Sequence, residues 1–329
     1  MIRLLALIIA FAVVYSRVRP VSISREREKH TENKRRESPV SFRAEIWYNQ
    51  TAAGVYRQAR RRTEMKLTST IRRIDTPAGG MKTIILRPRK QEGTVPGLLW
   101  IHGGGYVTGV AAMAYLTMGR TLAKHFGCVL IAPEYRKAAK APYPAALEDC
   151  YTALRYLYDH AEELGVDRNR IIVGGESAGG GLAAAVCIYA RDRGEIPVSF
   201  QIPLYPMLDC RDTESSRRSH SHGWGTRRNH MGWHLYLRDL YGTDDVPPYA
   251  SPSRETNYAG LPPCYTYVED GEPFRDETLA YVQNLKDAGV EAHVDIFHGN
   301  IHGFDVMLWT KNAKDAKRKL IAAAEKYMK

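Results

Sequence analysis

The chain has 329 residues, 44% hydrophobic and 25% charged, and these ordinary globular values exclude a largely disordered or fibrous protein. Its length is high for one domain by a simple length prior, yet large single-domain α/β folds reach this size. The net charge of +11 sits at one end: residues 1–75 hold 17 Lys and Arg against 7 Asp and Glu, the remainder 30 against 29. A near-neutral body with a basic leader argues against nucleic acid as a partner. The basic runs Arg25–Arg36 and Arg57–Arg62 also lack the interleaved aromatics that stack bases. Five scattered cysteines (Cys128, Cys150, Cys187, Cys210, Cys264) contain no C-x-x-C pair, so neither a disulfide framework nor a zinc ribbon fits. Free thiols suit a reducing compartment.

In chain order, residues 1–20 form a hydrophobic leader around Leu4–Tyr15, a twelve-residue apolar run. As a helix it covers ~18 Å, short of the ~30 Å hydrocarbon core. The A-x-A site, Ala10-Phe11-Ala12, falls inside the run, too early for a cleavage signal. The arginines that follow favour a cytoplasmic body, and the basic linker 21–39 would be drawn to anionic lipid. A short membrane tether is therefore the reading carried forward, with a secretion signal or an interfacial leader as alternatives. Residues 40–66 read as one or two amphipathic helices.

From about Lys66 onward, β-rich runs alternate with helical patterns. Residues 83–86, 97–101, 128–132, 171–174, 200–204, 265–268 and 294–297 read as strands, several apolar throughout, as strands buried on both faces should be. Residues 115–124, 145–160, 182–193, 277–288 and 313–327 read as helices. The alternation predicts an α/β fold with a mostly parallel sheet flanked by helices. It opens with an antiparallel hairpin whose turn is expected at Gly79-Gly80. Residues 207–250, rich in Trp, Tyr, His and Arg, interrupt the alternation, and with 40–66 they form a candidate cap above the carboxyl ends of the strands.

Two motifs carry chemistry. Gly175-Glu176-Ser177-Ala178-Gly179 is a G-x-S-x-G that follows a strand and opens a helix, a setting that projects a serine hydroxyl at the top of a sheet. His102-Gly103-Gly104-Gly105-Tyr106 follows another strand, and its glycines leave backbone N–H groups free to meet a developing oxyanion. No G-K-[ST] follows, so a phosphate-binding loop is excluded. Gly104 and Gly105, with Ala178 after the serine, are the expected donors; Gly103 serves the turn and His102 shapes the loop. Glu176 reads as an anchor of the serine turn. The serine needs a base and an orienting acid. His302, between the last strand and the last helix, ranks first as base and His298 second. For the acid, Glu269, Asp270, Glu272, Asp276 and Glu277 crowd one turn after residues 265–268.

HGGGY, GESAGGG, YPAALEDC, LPPCYTYVEDGEPFRDE and the closing HGF together resemble the hormone-sensitive-lipase-like family of α/β-hydrolases over residues 40–329. The resemblance implies an eight-stranded α/β-hydrolase sheet with a helical cap, carboxylic ester hydrolysis on a small-molecule ester, and no cofactor. It places the triad acid at Glu272, where the family has Asp, with Asp276 and Asp270 as fallbacks. At Tyr135–Pro142 the family pattern resembles Y-R-L-A-P-E, whereas this chain reads YRKAAKAP; that stretch is expected to shape the wall of the site and not its chemistry. A homodimer and membrane association through the N-terminus stay open as partners. So do amide, acetylated-sugar or drug substrates, or a non-catalytic binder on the same scaffold. His220, His222, His230 and His234 fall close together and His230/His234 have the i, i+4 spacing of a helical metal pair, but no H-E-x-x-H glutamate lies between them and no acid or Cys completes the set, so they read as cap surface. Trp47, Tyr48, Tyr106, Trp224, Trp233 and Tyr236 are candidates for an acyl pocket or for cap core.

Overall fold

The computed structural model describes residues 65–329, so the leader, the basic linker and residues 40–64 of the expected cap lie outside the described residues. Among the described residues no helix is long and apolar enough to cross a membrane.

A hairpin opens the sheet. β1 (Leu67–Thr76) pairs antiparallel with β2 (Gly79–Pro88) through a two-residue turn, Pro77-Ala78. The turn is two residues earlier than the glycine pair suggests, because Pro77 supplies the fixed backbone angle of a turn and Gly79 already pairs with Thr76. There follow β3 (Val95–Ile101), α1 (Met118–Phe126), β4 (Val129–Pro133), α2 (Ala145–Asp159) and the single turn α3 (Ala161–Leu164). Then come β5 (Val166–Glu176), α4 (Ala178–Arg193) and β6 (Phe200–Leu204). Within 207–250 lie α5 (Glu214–Arg217) and α6 (Thr226–Leu237), and β7 (Cys264–Glu269), α7 (Arg275–Asp287), β8 (Ala292–Phe297) and α8 (Lys311–Met328) complete the chain.

The eight strands lie in the order β1-β2-β4-β3-β5-β6-β7-β8, antiparallel at β1–β2 and β2–β4 and parallel from β4 to β8. The apolar strand runs follow from burial on both faces. In β3, Leu99 and Ile101 pack with α2 and α4 on one side, while Leu98 and Trp100 pack with α1 and α8 on the other. The strand period of two sends successive side chains to opposite layers, so a strand between two helical layers has no polar face. All five cysteines are buried as free thiols, and burial pushes the Cys128 thiol up to about 12.

The first turn of α4 sits against the end of β3. A Cβ on Gly179 would collide with the Ile101 carbonyl oxygen and lie 2.5 Å from that of His102. Both obstacles are backbone, so relief requires moving the helix away from the sheet. Gly179→Ala should therefore lower stability by about 1–3 kcal/mol, read as a fall in the urea midpoint with an unchanged slope; a wild-type midpoint would mean the approach is soft.

Candidate active site

The parallel arrangement brings the carboxyl ends of β3, β5, β7 and β8 to one edge. Ser177 occupies the step between β5 and α4, at φ 58° and ψ −123°. Such a conformation costs a non-glycine residue about 1–3 kcal/mol and persists only where its surroundings hold it. Here they do. The Ser177 N–H donates to the Leu204 carbonyl at 3.0 Å, and its own carbonyl accepts from Gly181 N–H at 3.0 Å and Met207 N–H at 3.1 Å.

His302 follows β8 by five residues, in a loop fixed at both flanks. Glu269, the last residue of β7, accepts the Ile301 N–H at 2.7 Å and the Asn312 side-chain amide at 2.9 Å. From the insertion, Ser221 Oγ donates to Asn300 O at 2.8 Å, and His302 N–H donates to His222 O at 2.9 Å. The result is one chain of hydrogen bonds: Ser177 Oγ lies 2.8 Å from His302 Nε2, and His302 Nδ1 lies 2.5 Å from Glu272 Oε2. All three residues are buried. Tyr205 and Phe274 meet the imidazole edge-on, with ring centroids at 5.2 Å and 5.1 Å. Burial pushes the Glu272 carboxyl above the ordinary glutamate range, and its pairing with His302 pulls it back down. A base bonded to a hydroxyl and oriented by a carboxylate is the arrangement that makes a serine nucleophilic.

The competing residues have other partners. His298, ranked second, is 98% exposed at its side chain and pairs with Asp270 at 2.8 Å. Asp276 accepts the Ser215 N–H at 2.7 Å and pairs with Arg275. Glu277 is buried behind the site, where one oxygen accepts the Leu208 N–H at 2.6 Å.

Across from the serine stands the glycine loop. A Cβ on Gly103 would lie 3.2 Å from Ser177 Cβ, so the loop abuts the serine. Gly104 and Gly105 have φ of 124° and 58°, and among the described residues neither N–H donates to a protein acceptor. Ala178 is the first helical residue, whose N–H has no intrahelical partner. The carbonyl of each donor's own peptide unit is bonded from behind. Gly103 O accepts from His102 Nδ1–H at 2.7 Å; Gly104 O accepts from Val107 N–H at 3.1 Å and from Thr108 N–H at 2.9 Å.

The structure separates the aromatic candidates. Trp224 lies against Gly105 and 6.5 Å from the His302 ring, so among the aromatic candidates it borders the site. Tyr106, Trp233 and Tyr236 are instead stacked in the buried core, with the Tyr106 and Tyr236 rings 4.0 Å apart. Trp47 and Tyr48 lie outside the described residues. His230 pairs with Asp212 at 2.7 Å and His234 packs on Tyr241. Asp305, three residues after His302, is buried and accepts hydroxyls from Tyr205 at 2.8 Å and Tyr267 at 2.7 Å. Glu176 accepts the Met118 N–H at 3.2 Å, an anchoring role for the serine turn. Burial first, and the neighbouring charge of Asp305 second, hold the Glu176 carboxyl well above its usual range.

A serine at a strand-to-helix turn on an eight-stranded sheet of this order, with acid and histidine following in the chain, defines an α/β-hydrolase. The chain belongs to the family described by the α/β-hydrolase-fold model that matches residues 98–306, and within it to the hormone-sensitive-lipase-like esterases. It is 32% identical over 254 residues to "Esterase LipI" of Mycobacterium tuberculosis, covering 70% of this chain and 73% of that one. It is 33% identical over 239 residues to "Carboxylic ester hydrolase LipN" of the same organism, covering 70% and 62%. Among solved structures it superposes on "Bacterial Heroin Esterase" with a TM-score of 0.76 at 35% identity, over 81% of this chain and 85% of that one.

His102 ties this site to pH. Burial first, and the charge of Lys137 second, push its imidazole down to about 3, against about 6.5 in an unfolded chain. Below pH ~6.5 the unfolded chain takes up a proton that the folded one refuses, so stability falls as pH drops from about 6.5 toward 3. Urea denaturation between pH 7 and 4 should show wild type losing up to about 1.4 kcal/mol per pH unit more than His102→Gln. Parallel slopes would contradict this.

Proposed function

We propose that the chain hydrolyses carboxylic esters with Ser177 as nucleophile, His302 as general base and then acid, and Glu272 as the residue that orients His302. The observation that carries this reading is the imidazole itself, held 2.8 Å from Ser177 Oγ on one nitrogen and 2.5 Å from Glu272 on the other. Because the Nδ1 proton is committed to the carboxylate, Nε2 faces the hydroxyl as an acceptor. Ser177 Oγ attacks the ester carbonyl as His302 takes its proton. The carbonyl oxygen becomes an oxyanion that the N–H groups of Gly104, Gly105 and Ala178 meet, each such donor being worth about 2.7–4 kcal/mol in the transition state. His302 returns the proton to the departing alcohol, and water then cleaves the acyl-enzyme by the same steps in reverse.

Glutamate suits the orienting position because the turn after β7 holds it: Glu272 Oε1 accepts the Glu269 N–H at 3.3 Å while Oε2 faces the ring. Gly103 supports the hole sterically, since any side chain there meets Glu176 O and Ser177. Segment 207–250 is the mid-chain part of the cap, and Trp224 against Gly105 narrows the acyl side, which favours small to medium acyl groups. The substrate class is also the one printed in the names of the esterase relatives.

Ser177→Ala should abolish hydrolysis of p-nitrophenyl acetate and butyrate, a loss of about 10⁶-fold in kcat, and Glu272→Ala should cost less, about 10⁴-fold. Asp276→Ala and Asp270→Ala should stay close to wild type. A fluorescent phosphonate should label wild type and not Ser177→Ala. A folded wild type that takes no label ends the ester-hydrolase mechanism; an active Glu272→Ala beside a dead Asp276→Ala moves the acid.

A further inference from the structure

The mechanism leaves one partly buried, charged arrangement unused, immediately behind the glycine loop. Lys137, in the stretch expected only to shape the wall, reaches back so that its Nζ lies 3.1 Å from His102 Nε2, 3.1 Å from Glu134 Oε1 and 2.6 Å from Tyr135 O. An ammonium has three donors and no acceptor, and here three acceptors surround it. His102 Nε2 must therefore accept, which leaves the ring proton on Nδ1, where it donates to Gly103 O at 2.7 Å. The ring is held flat against Tyr135, centroids 4.2 Å apart and planes within 13°, which fixes its plane. Gly109 closes the other side: a Cβ there would strike Gly103 O and come within 2.6 Å of His102 Nδ1.

The carbonyl of Gly103 and the N–H of Gly104 belong to one peptide unit. A donor on the oxygen side polarises that unit and strengthens the N–H on the other, by roughly 10–30% per bond in a hydrogen-bonded chain. We propose that Lys137 is a positioning residue for the oxyanion hole: it fixes the His102 tautomer and, through His102 and the Gly103 carbonyl, polarises the Gly104 N–H toward the oxyanion. Glu134 completes the brace. It takes Lys137 on one oxygen and the Ala111 N–H on the other, at 2.7 Å, so the two ends of the segment from His102 to Ala111 are tied through one ion pair. This inference rests on the ester-hydrolase reading, and its test separates the two.

The test compares Lys137→Met, which removes donor and charge, with Lys137→Gln, which keeps a neutral donor. Each is assayed for kcat and KM on p-nitrophenyl butyrate and for inhibition by an aryl trifluoromethyl ketone, whose adduct carries the oxyanion. The expected result is a fall in kcat of about three- to tenfold for Met, a fraction of the 10²–10³-fold lost with a whole donor. KM should stay flat, ketone affinity should weaken by a similar factor, and Gln should lie between Met and wild type. In the His102→Gln background, Lys137→Met should add no further loss. The ¹⁵N spectrum of His102 should show an Nδ1–H tautomer in wild type, with an Nε2 resonance that moves toward that of an unbonded acceptor in Lys137→Met. Wild-type kcat and ketone affinity in a folded Met or Gln variant would overturn the proposal, as would a loss confined to KM. Should Lys137→Met not fold, the Gln variant and the His102 spectrum still decide it. If Ser177→Ala is dead while the Lys137 variants are unaffected, only this inference falls; if Ser177→Ala is active, the mechanism beneath it falls first.

Discussion

The sharp backbone step at Ser177 is the constraint on which the site depends. One residue at positive φ turns the chain from β5 into α4, and that turn aims Oγ at His302. Its cost is met locally, because the N–H of Ser177 is bonded to Leu204 at the end of β6 and its carbonyl to Met207 just beyond. The neighbouring strand end is thus a mould for the nucleophile. Absence of a side chain at Gly179 is the other half of the mould, since it lets the helix stand close to the end of β3.

Around this step the protein buries more carboxyl groups than the chemistry uses. Glu269, Glu176, Asp305 and Glu277 each accept backbone N–H groups or tyrosine hydroxyls at the ends of the elements that carry the site. An unpaired buried charge is costly, and burial accordingly raises the carboxyls of Glu176, Glu277 and Asp305 toward their protonated forms. Through these hydrogen bonds they act as polar rivets, joining the Ser177 turn to α1 and the His302 loop to Tyr205, after β6, and to β7.

Much of this architecture was legible because it repeats at short range. Two-sided apolar runs marked the parallel strands, and a serine between a strand and a glycine-rich run marked the strand-to-helix step. The chain order of acid and histidine did not by itself choose among five carboxylates, since the choice depends on which side chain the turn after β7 directs inward. That choice needs the 2.5 Å geometry at His302. Lys137 was hidden for the same reason: thirty-five residues separate it from His102, and nothing local in YRKAAKAP says that its ammonium turns back to a histidine ring. The 219–222 segment was equally silent, and Trp224 could not be told from the other aromatic candidates, because an insertion without periodicity gives no register against the loop it meets.

The buried thiols described for the fold have a consequence for the surroundings in which the protein can work. Cys128, Cys150, Cys187 and Cys264 sit in apolar packing that keeps each sulfur protonated, and a protonated, inaccessible sulfur is a poor target for oxidants and soft metals alike. Under the proposed mechanism the nucleophilic work falls to the serine, and these four sulfurs are withheld from the oxidants around the protein.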